Sequence, residues 1–261
     1  APRFPDNYDF RRYGKGRTLD QWRRDNITDI VRYIYKGVKE IKPWVKVSTC
    51  PVGKYKDTSR YSSRGWNAFH TVYQDPQGWL GEGIMDQIYP MMYFQGNNFY
   101  PFALDWQEQS NGRQIIPGLG IYFLHPSEGN WVREDVDRQI NFIRAHKLAG
   151  EGHYRAKFLM DNTQGVYDEL AENFYAYPAL QPAMPWLDNV PPTAPEELRI
   201  TETADGYTQL TWKAAKDNDP VNAPRYVIYA SETYPVDTTK PENIIAQSVR
   251  GTEYVYTSLL P

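Results

Sequence analysis

Aromatic, amide and basic residues follow apolar runs of this sequence at several places where chemistry could occur. Tyr93 and Gln95 end one run, Tyr122 follows a Gly-Leu-Gly bend in a second, and Lys54 stands just beyond a third. A tyrosine hydroxyl can donate a hydrogen bond to a glycosidic or carboxyl oxygen, and a glutamine amide can bind sugar hydroxyls. Glycines would let a substrate approach the backbone. The alternative interpretation of all four residues is a packed rim without chemistry.

Hydrolysis of a glycosidic bond normally needs two carboxyl groups, one to protonate the leaving oxygen and one to act as nucleophile or base. Asp161 is the one acid that follows an apolar run, and its alternative role is an N-cap for a helix expected near Gln164. Asp86 begins its run, where a role in stability is expected. A complete acid/base pair is therefore not visible in the sequence.

A second polar group opens the first long predicted helix. Arg23, Arg24 and Asn26 stand there, and a guanidinium could hold a carboxylate or grip a sugar substituent through bidentate contact. The alternative is an ordinary helix start in which one arginine pairs with Asp20 or Asp25. Arg24 and Asn26 are the members that we predict to bind substrate.

Metal and cofactor signatures are missing from the sequence. The 4 histidines have no metal-ligand spacing, no carboxylates form a calcium loop, and there is no Gly-rich phosphate loop. We therefore expect no metal and no cofactor. Cys50 is the single cysteine, which excludes an internal disulfide, and we expect it to be a buried structural thiol.

The composition of the chain restricts the kinds of molecule that we expect it to bind. A net charge of -3 without a Lys/Arg-rich block gives no footprint for nucleic acid, and no apolar run is long enough to span a membrane. Aromatic residues make up 15% of the chain, and their flat faces suit sugar rings, although they also fill cores. The chain starts at Ala1 without a signal peptide, so we expect that residues upstream have been removed.

Four apolar runs, each followed by a helical stretch, must position these residues. The runs cover residues 45–50, 85–93, 114–122 and 153–160. Strands that alternate with helices indicate parallel βα units and hence an α/β fold. Four such units are half of a (β/α)8 barrel, in which the chemistry lies at the C-terminal ends of the strands.

The composition changes after residue 176. Six prolines between Tyr177 and Pro195 indicate a semi-rigid linker, and short β-type runs separated by turns follow it. We therefore predict a barrel part at 1–176, a Pro-rich linker at 177–195 and a β-sandwich at 196–261.

The tail resembles a fibronectin type III domain. The resemblance rests on three segments of this sequence, 191–195, 210–212 and 225–229, which read Pro-Pro-Thr-Ala-Pro, Leu-Thr-Trp and Arg-Tyr-Val-Ile-Tyr. Such a domain has seven strands and we count five, so the last two are expected to be missing. A sandwich without them would expose a sheet edge.

The front part resembles the glycosyl-hydrolase-like family 10 barrels of the bacterial envelope. The resemblance rests on four blocks in matching order and covers about residues 1–175; the blocks are 19–27, 41–46, 86–93 and 117–122. It implies hydrolysis of bacterial cell-wall glycan strands and a secreted, periplasmic or envelope-anchored location. In that family an Asp-Asp pair ends the strand before the Trp-Arg-Arg helix, and this chain opens just after that place. The first four strands of the barrel, and at least one catalytic carboxylate, are therefore expected upstream.

Together these observations predict a fragment of a glycoside hydrolase that acts on a cell-wall or other polysaccharide through two carboxylates. The expected partner is a poly- or oligosaccharide, with a homo-oligomer if the half barrel stands alone. Two alternatives stay open. The chain could be a non-catalytic glycan-binding module, or a scaffold whose fibronectin-type domain mediates protein contacts.

Overall fold

The computed structural model describes residues 4–219 and 222–257. These residues form two compact units that meet in the sequence between Asp168 and Glu169. The first unit mixes helices with short parallel strands and the second contains antiparallel strands. The α/β class predicted for the front part is therefore confirmed, whereas the predicted domain limits stay a prediction.

Helices make up most of the regular structure of the first unit. Thr18 starts the longest helix, because its hydroxyl accepts a hydrogen bond from the backbone N–H of Gln21 at 3.2 Å. Asp75 caps another helix in the same way, and Gly83 ends that helix in the left-handed conformation. The helices are α1 (Asn7–Tyr13), α2 (Leu19–Ile41), α3 (Ala68–Thr71), α4 (Pro76–Glu82), α5 (Tyr100–Glu108), α6 (Arg133–Ala145), α7 (Ala156–Met160) and α8 (Val166–Glu169).

The strands of the first unit are parallel and lie side by side in chain order. They are β1 (Ser48–Thr49), β2 (Gln87–Ile88), β3 (Gln114–Ile115), β4 (Gly118–Leu119) and β5 (Gly152–His153). One sheet has the order β1-β2-β3 and the other pairs β4 with β5. Parallel bridges from Met91 to Val52 and to Gly118 continue the pairing beyond the regular strands. All four predicted runs therefore contribute neighbouring parallel segments.

The core lies between these strands and the helices that follow them. Ile88, Ile115 and Leu119 are fully buried in the strands, and Phe102 and Ile140 are fully buried on the helices. Parallel strands covered by helices are expected to carry such apolar residues.

The run at 153–160 is not a strand along its length, which corrects the prediction. β5 ends at His153, and Ala156–Met160 form α7 instead. Alanine, lysine, leucine and methionine are strong helix formers, and Phe158 is the buried residue of the turn. A short apolar run has no period that separates strand from helix.

Asp86 fastens α2 to the beginning of the sheet. It is fully buried just before β2 and accepts hydrogen bonds from Tyr35 Oη at 3.0 Å and Val47 N at 2.8 Å. The ammonium of Lys39 lies 2.6 Å from Oδ2 of Asp86, the same oxygen that accepts from Val47 N. This position at the N-terminal end of the strand is the one predicted for a stabilising residue.

The described residues of the second unit include five strands in two antiparallel sheets. In one sheet residues 208–213 lie between 253–256 and 196–202, and in the other residues 226–229 pair with 244–249. Trp212 is buried, and its ring meets that of Tyr226 edge-on at 5.0 Å. The strands are β6 (Glu196–Glu202), β7 (Thr208–Lys213), β8 (Tyr226–Tyr229), β9 (Ile244–Val249) and β10 (Glu253–Tyr256).

Candidate functional site

Three tyrosines meet beyond the C-terminal ends of the strands, and we call them the tyrosine cluster: Tyr93, Tyr122 and Tyr154. Tyr93 and Tyr154 stack with ring centroids 5.1 Å apart and planes inclined by 16°. Tyr122 stands edge-on to both, at 5.8 Å from Tyr93 and 5.7 Å from Tyr154. Its backbone N–H donates to the carbonyl of Tyr154 at 3.2 Å. Residues that are far apart in sequence thus form one aromatic wall.

Two glycines make the close packing of this wall feasible. A Cβ on Gly120 would lie 3.0 Å from Cβ of Tyr93, and one on Gly118 would lie 3.4 Å from Cε1 of the same ring. The Gly-Leu-Gly bend was expected to let a substrate approach the backbone. In the structure the glycines instead make room for Tyr93, which is a packing role.

The three tyrosines of the cluster differ in their exposure to solvent. Tyr154 is 47% exposed, whereas Tyr93 and Tyr122 are half-buried. Burial raises the pKa of Tyr93 to about 12 and also raises the pKa of Tyr122. Both hydroxyls are protonated at neutral pH, as tyrosine hydroxyls ordinarily are, and can donate hydrogen bonds; the raised pKa values extend this state to more alkaline pH.

An ion pair lies beside the cluster. Arg155 Nη2 lies 3.1 Å from Glu128 Oε1, and the negative charge of Glu128 adds to burial in raising the pKa of Tyr122. Glu128 and Tyr154 escaped the sequence analysis because neither ends a predicted apolar run. β5 has only two residues, Gly152 and His153, so Tyr154 follows it directly. A search for polar residues just after Gly152 would therefore have found Tyr154.

Lys54 does not join the cluster. Its side chain is buried, and its ammonium donates to Asn98 Oδ1 at 2.6 Å and lies 4.7 Å from the ring centre of Phe94 and 5.1 Å from that of Phe102. Burial lowers the pKa of Lys54. The residue therefore ties the turn at 96–98 to the strand end rather than facing a ligand.

The side chain of Gln95 contacts Asp135 of α6 and not the tyrosine cluster. Its side chain is exposed and donates to Asp135 Oδ2 at 2.5 Å. Asp135 also accepts from the backbone N–H of Val132 at 3.3 Å, so the pair joins the end of the second run to the start of α6. Gln95 thus lies two residues from Tyr93 in the sequence, but its contact with Asp135 is structural.

Arg24 is buried and packs within the unit. Its guanidinium carbon lies 4.1 Å above the ring of Phe69, and Nη1 donates to the carbonyl of the same residue at 3.2 Å. A buried guanidinium over an aromatic ring is a stabilising contact. The alternative, in which Arg23 or Arg24 pairs with Asp20 or Asp25, is not what forms: Asp25 pairs with Arg17 at 2.7 Å, outside the helix.

Arg23 and Asn26 line a cleft of about 470 Å³ near the start of α2. Arg23 grips Asp6 in a bidentate pair at 2.7 and 2.8 Å and donates to Tyr73 Oη at 2.7 Å. Its hydrogen bond is the main cause that lowers the pKa of Asp6. Asn26 is exposed at the rim of this cleft. Arg23 therefore makes the bidentate carboxylate contact that was considered for this helix start.

Asp161 ends α7 and forms an ion pair with Lys157 one turn earlier. The side chain of Asn162 satisfies the start of α8 instead, because its Oδ1 accepts from the backbone N–H groups of Tyr167 at 2.9 Å and Asp168 at 3.3 Å. The alternative of an N-cap at Asp161 is therefore wrong. The side chain of Asp161 is part-exposed on a helix.

Cys50 is exposed, which corrects the expectation of a buried thiol. It follows β1, the strand at the end of the sheet order, where no neighbouring strand of the described residues covers it. Among the residues that the structure describes, no three His, Cys, Asp or Glu side chains come close enough to hold a metal ion. None of the helices in this described part combines the length and apolar composition needed to cross a bilayer.

Comparison of the sequence with known proteins relates part of this chain to a family. Residues 2–124 match the sequence profile described as glycosyl hydrolase-like 10. The chain is 30% identical over 245 residues to glycosyl hydrolase YngK of Bacillus subtilis (strain 168), which covers 88% of this chain and 48% of YngK. It is 30% identical over 142 residues to glycosyl hydrolase DigH of Escherichia coli (strain K12), covering 51% of this chain and 32% of DigH.

This chain spans about half the length of YngK and about a third of DigH. The match to the family profile contains β1, β2, β3 and β4, together with Tyr93 and Tyr122 of the tyrosine cluster. Over residues 2–124 the chain belongs to the glycosyl hydrolase-like 10 family.

Proposed function

We propose that this chain is part of a glycoside hydrolase and supplies the sugar-binding wall of an active site in a (β/α)8 barrel. The tyrosine cluster carries the proposal, because three aromatic residues meet where parallel strands end, in a chain that belongs to a glycosyl hydrolase-like family. Barrel enzymes hold their substrates at that end of the strands. The chain order of parallel strands supports half of such a barrel.

The cluster suits a sugar in two ways. The exposed part of the Tyr154 ring offers an apolar face to the C–H groups of a pyranose. The hydroxyls of Tyr93 and Tyr122 are neutral, as tyrosine hydroxyls are at neutral pH, so they can donate to ring, glycosidic or carboxyl oxygens.

Hydrolysis adds the need for two carboxyl groups. Glu128, paired with Arg155 beside Tyr122, is our candidate for the group that this chain supplies. Asp161 is a weaker candidate because it is paired on α7. We propose that at least one catalytic acid comes from polypeptide outside these 261 residues.

We propose glycan strands of the bacterial cell wall as the substrate class, with a secreted, periplasmic or envelope-anchored protein. The family resemblance motivates both statements, and fractionation of the source cells would test the location. The antiparallel sheets of the second unit support the fibronectin-type sandwich that we propose after a Pro-rich linker.

Binding of cell-wall glycan oligosaccharides, measured by titration calorimetry, tests the sugar-binding wall. We expect Tyr154→Ala to weaken binding about tenfold, or about 1.4 kcal/mol, because it removes the stacking face. Tyr167→Ala is the matched control, since Tyr167 is comparably exposed but lies on α8. Equal affinity of the two variants would contradict the proposal.

A non-catalytic glycan-binding module is the second candidate function. The aromatic wall with one neighbouring carboxylate, Glu128, favours it. Glycan binding without release of new reducing ends, in a chain extended to the length of the relatives, would select this alternative.

A further inference from the structure

Glu128, the candidate acid of the proposed site, lies on the segment 125–132 between the turn at 121–124 and α6, and we call this segment the Glu128 loop. Glu128 and Arg155 form an ion pair at 3.1 Å between side chains that are 36% and 49% exposed. An exposed ion pair of this kind contributes little to the order of its side chains. Other contacts must therefore hold the loop, and its carboxylate, beside Tyr122.

The side-chain amide of Gln164 joins the two ends of the Glu128 loop. Its Nε2 donates to the carbonyl of Leu124 at 2.7 Å and to that of Trp131 at 3.0 Å. Its Oε1 accepts from the backbone N–H of Arg133 at 3.2 Å. Both N–H bonds and the carbonyl of the amide are thus used, and they satisfy one backbone group just before the loop and two at its far end.

The backbone of Gln164 has an unusual conformation for a glutamine. Its φ of 53° and ψ of 26° lie in the left-handed region, where a residue with a Cβ is unfavourable and glycine or asparagine is the ordinary choice. Asn162 fixes the same turn to α8, because its Oδ1 accepts from the backbone N–H groups of Tyr167 and Asp168. The amide of Gln164 therefore extends from a fixed base, and its hydrogen bonds to the loop offset the unfavourable backbone.

The Glu128 loop packs against the tyrosine cluster through aromatic rings. The ring centroid of Trp131 lies 5.0 Å from that of Phe123, which lies 4.0 Å from that of Tyr122. A Cβ on Gly129 would lie 2.7 Å from Cδ1 of Phe123, so the loop passes this ring at a distance that only glycine allows. Movement at either end of the loop would therefore shift Glu128 relative to Tyr122.

We infer that Gln164 is a positioning residue, which holds the Glu128 loop so that the carboxylate of Glu128 stays beside the tyrosine cluster. It acts through the backbone of the loop and not on the substrate itself. Placement matters because a displacement of about 1 Å can lower the rate of a reaction about a hundredfold. The role of Glu128 as an acid rests on the proposed function, whereas the hold of Gln164 on the loop does not.

Hydrogen exchange in the 261-residue chain tests the hold on the loop. The backbone N–H groups of Glu128 and Gly129 both donate to the carbonyl of His125, at 2.9 and 3.1 Å, so their exchange rates report on the order of the loop. We expect both amides to exchange about tenfold faster or more when the side-chain amide of Gln164 is replaced, because the closed loop conformation then loses three hydrogen bonds.

Two variants replace that amide in different ways. Gln164→Glu keeps the size of the side chain but turns its two N–H donors into an acceptor that faces two carbonyls. Gln164→Gly removes the side chain and favours the left-handed backbone, so this variant is expected to fold. Gln107→Glu is the matched control, because Gln107 likewise donates to a backbone carbonyl, that of Lys147 at 3.2 Å, at the opposite end of α6 from the loop. It should leave both exchange rates as in wild type.

Hydrolysis by a chain extended to the length of the relatives tests the positioning role. Both Gln164 variants should lower kcat for the release of reducing ends about tenfold or more and change KM by less than about twofold, because the Tyr154 ring that binds the sugar is unaltered. A residue that only stabilised the fold would lower the midpoint of urea unfolding and leave kcat of the folded enzyme unchanged. Gln107→Glu should leave kcat and KM as in wild type.

Two results would overturn the inference. Unchanged exchange of the Glu128 and Gly129 amides in both variants would show that Gln164 does not hold the loop. Faster exchange together with a wild-type kcat would show that the loop does not position a group that acts in hydrolysis. If both variants exchanged faster but the longer wild-type chain released no reducing ends, the hold of Gln164 on the loop would stand and the proposed hydrolysis would be rejected instead.

Discussion

Burial sets the protonation of single residues in this fold, and His153 shows the effect beside the tyrosine cluster. The residue ends β5 immediately before Tyr154, and burial lowers its pKa to about 4. Lys54 and Tyr93 show the same cause with the signs that their charges require, since burial lowers the pKa of a cation and raises that of a phenol.

The shifted pKa of His153 predicts a pH-dependent stability. Below about pH 6.5 the unfolded chain takes up a proton on this histidine and the folded chain does not. The free energy of unfolding should therefore fall as the pH decreases from about 6.5 to about 4, by up to about 3 kcal/mol. Urea denaturation of wild type and His153→Gln across that range measures the difference.

His125→Gln is the control, because His125 is exposed. It should leave the pH dependence of the unfolding free energy as in wild type, while His153→Gln flattens it. Identical slopes for wild type and His153→Gln would refute the attribution to His153.

Elements in the first unit are joined by buried polar contacts as well as by the apolar core. Asp86 connects α2 to the start of two strands through Tyr35, Lys39 and Val47. Without Asp86, the ammonium of Lys39 would keep its hydrogen bonds to the carbonyls of Pro43 and Val45 but would lose this carboxylate as its counter-charge, although its side chain is only 13% exposed. Such a contact is costly to break from one side.

Asp86→Ala is expected to lower the free energy of unfolding by about 3–5 kcal/mol, because it removes the counter-charge of the largely buried Lys39 and leaves the hydroxyl of Tyr35 and the backbone N–H of Val47 without this acceptor. Asp29→Ala removes an exposed carboxylate that pairs with Arg32 on the same helix, and it should cost about 0.5 kcal/mol or less. Thermal and urea unfolding of both variants compare the two effects. Similar losses would contradict the assigned role of Asp86.

The sequence predicted elements better than it predicted site contacts. The first long predicted helix is α2, and apolar runs located the parallel strands. The prediction for the run at 153–160 failed because a short apolar run shows no period that separates a strand from a helix. Lys54, Gln95 and Arg24 lie near strand or helix ends, but the sequence could not show their contacts. Lys54 contacts Asn98, Gln95 contacts Asp135 and Arg24 contacts Phe69, and only the folded chain brings these partners near.

Two features of the whole molecule have one explanation: the open edge of β1 and the incomplete pair of candidate catalytic carboxylates. β1 stands at the end of its sheet order, and no strand among the described residues pairs with its other edge. The tyrosine cluster offers binding groups, whereas Glu128 is the candidate acid that the described residues place beside it. A chain that binds glycan with its own residues but needs outside polypeptide for hydrolysis accounts for both features.

This explanation predicts that the 261-residue chain binds cell-wall glycan without cleaving it, whereas a chain extended to the length of the relatives cleaves it. The reason is that protonation of the leaving oxygen and attack at the anomeric carbon need separate carboxyl groups. Release of reducing ends from purified glycan strands measures cleavage, and Glu128→Gln in the longer chain should lower it at least a hundredfold with binding retained. Glu134→Gln, an exposed acid on α6, is the matched control. Cleavage by the shorter chain at the rate of the longer one would show that both acids lie within these residues.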